Sequence, residues 1–241
     1  MINVVGIGPG DIKMLTYEAK KAIEDSAVIV GYKTYIKLIE ELISDKEIVS
    51  NGMKQEIDRC KEAIEIAKTG KNVAVISSGD AGVYGMAGLI LELLDVEKSD
   101  MKVNIIPGVT ASTAAAALLG SPLMHDYCHI SLSDLLTPME LIEKRVELAA
   151  EADFVICFYN PRSKGREGHL ERAFDLIKKH KKDTTIVGIV KNAARENEEK
   201  IITTLKDIDY TLVDMTSIVI VGNNATYQTG NLMITPRGYK I

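Results

Sequence analysis

The chain is poor in the features that announce the commonest specialised proteins. It has three cysteines, Cys60, Cys128 and Cys157, an odd number with no C-x-x-C pair. That excludes a disulfide framework, and buried thiols in a reducing compartment are expected. No stretch approaches the ~18 apolar residues of a membrane span, and the amino terminus runs straight into a strand pattern. A cytoplasmic protein that does not enter membranes is therefore expected. The sequence contains no G-x-x-x-x-G-K-[ST], no G-x-S-x-G and no H-E-x-x-H, which removes the usual phosphate-loop, hydrolase-elbow and zinc-protease chemistries. Positive charge is in deficit too. The net charge of −5 argues against a nucleic-acid backbone as main partner and leaves only local basic patches. Internal repeats, low-complexity runs and long linkers are missing as well.

What is present is an ordinary globular composition, 46% hydrophobic and 26% charged over 241 residues, enough for one large domain or two smaller ones. The organising stretch is 72–85. Residues 73–76 are a short apolar, mostly β-branched run, the pattern of a strand buried on both faces. It breaks into Ser77-Ser78-Gly79-Asp80-Ala81-Gly82, where glycines permit positive φ and close approach of a ligand. A helical pattern is expected from about 83 to 94. Strand, glycine turn and helix place the turn at the carboxyl end of a parallel strand, where open α/β sheets bind small molecules.

Other strand ends echo it. Residues 2–7 read as the first strand and lead into Gly8-Pro9-Gly10-Asp11. This is no dinucleotide fingerprint, because Asp11 stands where the third glycine belongs and Pro9 removes a backbone donor. The next helix is expected to start at a Thr16 cap. Residues 27–30 give a second strand, and 103–106 a further one that runs into Pro107-Gly108-Val109-Thr110. Repeated strand–helix units predict a parallel sheet, with a domain boundary at Gly120-Ser121-Pro122. That divides the chain into 1–120 and 121–241.

Beyond the boundary, His125-Asp126-Tyr127-Cys128-His129 groups ligand types, but a structural zinc needs four and no second cluster exists. A polar strand edge is expected there, and no metal. Strands are expected at 129–132, 154–159, 185–190 and 217–221, with helices at 141–150 and around Leu170, Phe174 and Ile177. Strands outnumber helices toward the carboxyl terminus, which predicts a mixed sheet. The strand at 154–159 ends in Asn160-Pro161-Arg162-Ser163-Lys164-Gly165-Arg166. Three cations in five residues can be a solvated run or an anion-binding loop. Each strand-end loop, taken alone, can equally be a bare structural turn.

Taken together, the loops resemble one family. Gly8-Pro9-Gly10-Asp11, Ser78-Gly79-Asp80 with Val83 and Tyr84, and Pro107-Gly108-Val109-Thr110-Ala111 are similar to the S-adenosylmethionine-binding signature of the tetrapyrrole (corrin/porphyrin) methylases. Ile130-Ser131-Leu132-Ser133-Asp134-Leu135-Leu136-Thr137-Pro138, Phe158-Tyr159-Asn160-Pro161-Arg162-Ser163 and Thr235-Pro236-Arg237-Gly238-Tyr239 narrow the resemblance to the precorrin-3B or cobalt-precorrin-3 C17-methyltransferases of cobalamin synthesis. Met139 departs from the pattern, which has tryptophan after Thr-Pro. The resemblance implies a homodimer of chains with two α/β domains, a parallel-sheet amino-terminal one and a mixed-sheet carboxyl-terminal one, with the active site in the cleft. It implies S-adenosylmethionine as donor, held by Pro9, Ser78, Gly79, Asp80, Val83, Thr110 and Ala111 from the first domain and by Asn160 and Ala193 from the second. Asp80 is expected to bind the donor rather than to act as a base. The implied reaction is methylation of carbon 17 coupled to ring contraction. Arg162, Ser163, Lys164, Arg166 and Arg195 are the expected partners of the substrate carboxylates. No residue is assigned to proton transfer, and cobalt-loaded and metal-free substrates both remain open. The alternatives are another methyltransferase on the same fold, with a uroporphyrinogen or ribosomal-RNA substrate, or a non-catalytic ligand-binding module.

Overall fold

The computed structural model describes residues 1–52, 55–163 and 165–240. They form two compact units, Met1–Ala111 and Ser112–Ile241. The first contains β1 (Ile2–Gly6), α1 (Tyr17–Glu24), β2 (Val28–Tyr32), α2 (Lys33–Lys37), β3 (Glu47–Asn51), α3 (Glu56–Lys68), β4 (Val73–Ser77), α4 (Ala87–Val96) and β5 (Val103–Ile106). Its sheet has the order β3-β2-β4-β1-β5, and every pair in it is parallel.

Strand alternation decides which side chains meet which helices. Ile2, Val4, Val28, Val30, Val73 and Val75 share one core with Cys60, Ile64, Ile90 and Leu94 of α3 and α4. Val5, Ile29, Ala74 and Ile76 share the other with Ala19 and Ile23 of α1 and Ile36 of α2. Both faces are covered, which is why these strands read as unbroken apolar runs. Thr16 caps α1 by accepting from the Ala19 amide at 3.1 Å. The expected helix from 83 starts later, at Ala87, because the preceding amides are captured by a turn described below.

In the second unit, α5 (Ala111–Leu119) is followed by β6 (Gly120–Ser121), β7 (Tyr127–Ser131), α6 (Met139–Glu151), β8 (Val155–Tyr159), α7 (His169–Ile177), β9 (Ile186–Lys191), β10 (Glu199–Thr204), β11 (Ser217–Val221), β12 (Tyr227–Thr229) and β13 (Leu232–Ile234). The main sheet has the order β10-β9-β11-β8-β7. Strands β7 and β8 are parallel, while β11 runs antiparallel to both β8 and β9, so the sheet is mixed. The unit begins at Ser112, upstream of the Gly120-Ser121-Pro122 boundary read from turn composition, because α5 and β6 pack into it. A Cβ on Gly188 would lie 2.4 Å from Leu119 of α5, and β6 pairs with β13. On the opposite face, Ile142 and Val146 of α6 and Leu170 and Phe174 of α7 meet Ile156, Phe158, Ile189 and Val219.

One ion pair pins the turn into β8. The Lys181 ammonium, with its side chain 0% exposed, lies 2.8 Å from Asp153, whose side chain is 37% exposed. Asp153 also accepts from the Asn224 amide at 3.0 Å. Removing the lysine strips a buried partner from the carboxylate. Lys181→Ala should lower unfolding free energy by about 2 kcal/mol, less than the roughly 3–5 kcal/mol of a fully buried pair because Asp153 keeps contact with water. Urea denaturation checks this, and an unchanged midpoint would assign the pair no role in stability.

Candidate functional site

In the first unit, β4, β1 and β5 are neighbours, and their carboxyl ends place loops 7–11, 78–83 and 107–110 side by side. These loops carry Pro9, Ser78, Gly79, Asp80, Val83 and Thr110, and Ala111 opens α5. The backbones there approach closer than side chains allow. A Cβ on Gly108 would lie 2.2 Å from the Gly79 carbonyl oxygen, and one on Gly6 2.7 Å from the Gly108 nitrogen. Gly8 and Gly79 form a reciprocal backbone pair, at 3.0 and 2.7 Å. Gly79 itself has φ +70 with its nearest neighbours 3.7 Å from a built Cβ, so its requirement is conformational rather than steric.

Asp80 holds the junction together. Its Oδ1 accepts from the amides of Gly82 at 2.8 Å and Val83 at 3.1 Å, and its Oδ2 accepts from the Gly108 amide at 2.9 Å. The carboxylate expected to face the donor is therefore spent mainly on backbone, tying the turn after β4 to the loop after β5. Those bonds also delay α4, together with Tyr84 at φ 53.

In the second unit, β7, β8 and β9 end on one edge of the sheet and deliver Ser131, Asn160 and Asn192 there. Asn160 has φ 50, and its Nδ2 donates to Ser131 Oγ at 3.0 Å. Ala193 is buried within a turn that holds Asn192, Ala194 and Asn197 at φ 50–57. Such left-handed backbone at a non-glycine residue costs free energy and concentrates at functional loops. Nothing in composition marks Ala194 for it.

The basic loop is not uniform. Arg162 Nη1 donates to Glu171 at 3.1 Å and to the Tyr210 carbonyl at 2.9 Å, so this expected substrate contact is a structural brace. Arg166 Nε donates to Ser163 Oγ at 2.8 Å, while its Nη1 is buried without a hydrogen-bond partner. Lys164 lies outside the described residues. Arg195 is half-buried on the turn after β9. Among the described residues no three His, Cys, Asp or Glu side chains group to hold a metal ion.

A cluster that sequence reading missed lies on the α5 face of the second sheet. Ser112 is fully buried. Its Oγ lies 2.8 Å from His129 Nε2, and its amide donates to the Tyr159 hydroxyl at 3.0 Å. The His129 and Tyr159 rings meet edge to face at 5.2 Å. Burial holds the His129 imidazole below its ordinary pKa, so it stays neutral at neutral pH. The thiols are inert for the same reason: burial pushes Cys60 up to about 12 and Cys128 up to about 11. Among the described residues the two edges thus offer backbone groups, fixed amides and an under-used guanidinium, with no activated nucleophile.

Several known proteins resemble this chain. The family model of the Tetrapyrrole (Corrin/Porphyrin) Methylases matches residues 1–209. A Salmonella typhimurium protein named probable cobalt-factor III C(17)-methyltransferase is 61% identical over 100% of both chains. The precorrin-3B C(17)-methyltransferase of a Sinorhizobium species is 38% identical over 99% of this chain and 96% of its own. The crystal structure of the methyltransferase CobJ aligns with a TM-score of 0.93 at 36% identity, covering 98% of this chain and 99% of the other.

The first edge should respond to mutation by geometry rather than by residue type. Asp80→Ala should cost about 2–4 kcal/mol of stability, since several charge-assisted bonds vanish together. Gly108→Ala should be more damaging than Gly79→Ala, which costs only the ~1–2 kcal/mol of a left-handed residue. Chemical denaturation of the three variants checks the order, and a fully stable Asp80→Ala would refute the clasp. On the second unit, His129 gives a pH signature. Below the ordinary imidazole value of 6.5, the unfolded chain takes up a proton that folded His129 resists. Stability therefore falls as pH drops through that value toward the folded pKa. His129→Gln should flatten this acid limb in denaturation series between pH 5 and 7.5; identical slopes would exclude His129 as its source.

Proposed function

Because the chain belongs to the tetrapyrrole (corrin/porphyrin) methylases, we propose that it transfers the methyl group of S-adenosylmethionine to carbon 17 of a contracting tetrapyrrole in cobalamin synthesis, with cobalt-factor III preferred over metal-free precorrin-3B. The observation that carries this is the 61% identity, over the whole of both chains, to a protein named for the cobalt-loaded substrate, against 38% to one named for the metal-free substrate. The cobalt belongs to the substrate. The absence of an activated nucleophile among the described residues at the two edges suits the same reaction.

S-adenosylmethionine supplies a methyl group already activated on a sulfonium. What is asked of the protein is alignment and exclusion of water. The first unit's edge fits such a ligand. A Cβ on Gly82 would meet only Asp80 Oδ1, at 3.4 Å, and one on Gly79 would meet Thr110 and Ala111 at 3.7 Å, so the glycines leave space that side chains would fill. We assign Pro9, Ser78, Gly79, Val83, Thr110 and Ala111 to donor binding, with Asp80 holding their loops in register. We also assign Asn160 and Ala193 to the donor. Arg166, supported by Ser163, and Arg195 take substrate carboxylates, while Arg162 braces the loop they stand on. The proposal includes a cytoplasmic homodimer with small-molecule substrates and no nucleic acid. It is supported by the family resemblance and the net charge of −5.

The test is turnover with cobalt-factor III and precorrin-3B side by side, each with S-adenosylmethionine. The cobalt compound should give a kcat/KM at least tenfold higher, and methylation of neither would overturn the assignment. Arg166→Ala should lower kcat/KM for the tetrapyrrole by roughly ten- to a hundredfold, the worth of one charge-assisted bond of about 1.5–3 kcal/mol. The calorimetric Kd for S-adenosylmethionine should stay within twofold. Arg162→Ala should instead lower the melting temperature. Added salt should weaken the wild type more than Arg166→Ala, which has one ion pair fewer to screen.

A further inference from the structure

The loop between β7 and α6 presents Leu135 64% exposed and Leu136 98% exposed. Single exposed leucines are ordinary on a protein surface. These two are adjacent, and the loop carrying them is anchored at its base. Leu132, fully buried, plugs the core, and its amide donates to the Tyr159 carbonyl at 2.9 Å. Its own carbonyl lies 3.0 Å from His169 Nδ1. A carbonyl can only accept, so that nitrogen carries a proton. Asp134 Oδ2 lies 3.7 Å from the other ring nitrogen, and the Ser133 amide donates to Ser131 Oγ at 3.3 Å. At the far end Pro138 leads into α6. The fold therefore fixes the base of this loop and leaves its apolar tip bare.

The position of that tip suggests its occupant. Strands β7 and β8 are parallel and paired from Tyr127 with Val155 to Ser131 with Tyr159, so loops 132–138 and 160–168 leave the same edge. His169, at the end of the second loop, is the residue that holds the first. One loop offers two leucines; the other offers the Arg166 guanidinium with a buried, unpartnered Nη1. Apolar surface beside an under-used cation complements a large amphipathic disc with an apolar face and a carboxylate rim. A second copy of the chain is a poorer fit, because two leucines supply a small fraction of the roughly 800 Å² that each partner buries in a stable interface.

We propose that Leu135 and Leu136 form an apolar platform for the tetrapyrrole macrocycle, beside the Arg166 loop that takes its carboxylates. This rests on the function proposed above and extends it to a contact that determines which acceptor binds. Leu136, almost wholly exposed, has little packing to lose, so Leu135→Ser/Leu136→Ser should fold with an unchanged melting temperature. Its KM for cobalt-factor III should rise ten- to a hundredfold, with kcat for bound substrate and the Kd for S-adenosylmethionine both within twofold of wild type. Leu135→Met/Leu136→Met, which keeps the apolar surface, should restore KM.

A spectrophotometric titration with uroporphyrin III, without donor, separates the two claims. If the wild type binds uroporphyrin III and the serine variant does not, the platform stands even where cobalt-factor III is not methylated and the assigned reaction fails. If the wild type methylates cobalt-factor III and the serine variant does so with the same KM, the platform fails alone. A slower-sedimenting serine variant in analytical ultracentrifugation would also overturn the proposal, because the patch would then join two copies of the chain.

Discussion

The first unit depends on three backbones meeting where side chains cannot fit. The ends of β1, β4 and β5 converge on Gly6, Gly79 and Gly108, and a Cβ on Gly108 would collide with the Gly79 carbonyl at 2.2 Å. Apolar burial puts the strands side by side but does not set how their loops leave the sheet. That is done by Asp80, whose two oxygens bind amides on both sides of the junction. The aspartate is short enough to reach Gly82 and Val83 locally, and its second oxygen reaches a residue 28 positions away. A longer carboxylate would reach the same amides only with additional rotamer entropy to lose. The geometry of the edge is thus built from glycine space and one acceptor.

The second unit solves a related problem with side-chain polar contacts. Its parallel strands end in loops tied to one another: Ser131 Oγ accepts from Asn160, His169 Nδ1 donates to the Leu132 carbonyl, and Arg162 donates to the Tyr210 carbonyl. Charge near the edge is mostly neutralised in place: Arg162 lies against Glu171 and Lys191 against Asp214 at 3.2 Å. Against that background the Arg166 nitrogen stands out, because burying a guanidinium nitrogen without a partner costs free energy that a carboxylate ligand would recover. Arg162 and Arg166 are therefore not interchangeable. Position on the loop separates a brace from a nitrogen left without a partner.

How much of this could be read beforehand follows from where each signal is written. Central strands β1, β4, β8 and β11 announce themselves as apolar runs because they are covered on both faces. Strands β3 and β10 lie at the sheet edges and carry residues such as Glu47, Ser50, Glu199 and Lys200. The polar residues that suit an edge hide the strand pattern. The helix α4 begins at Ala87 although Val83 continues the helical spacing, because the side chain that captures the Val83 amide belongs to Asp80 in the turn. Arg162 looked like Arg166 because loop composition does not reveal Glu171 or the Tyr210 carbonyl. The Ser112–His129 contact joins residues 17 apart through the docking of α5 on β7, a tertiary event with no local motif.

These features share a logic suited to moving a group that is already activated. A hydrolase must make a nucleophile, and its sequence shows the triad that does so. Here several titratable groups are spoken for or silenced: Asp80 by amides, Arg162 by a carboxylate, and His129 and the Cys128 thiol by burial. A free base or thiol beside an electrophilic methyl would risk being methylated itself, so quenching such groups serves the reaction as much as placing the reactants. The cost is that specificity cannot come from chemistry at the reacting atoms. It has to come from shape and from contacts away from them; in the second unit the proposed ones are the Arg166 nitrogen and the exposed leucines of the β7–α6 loop.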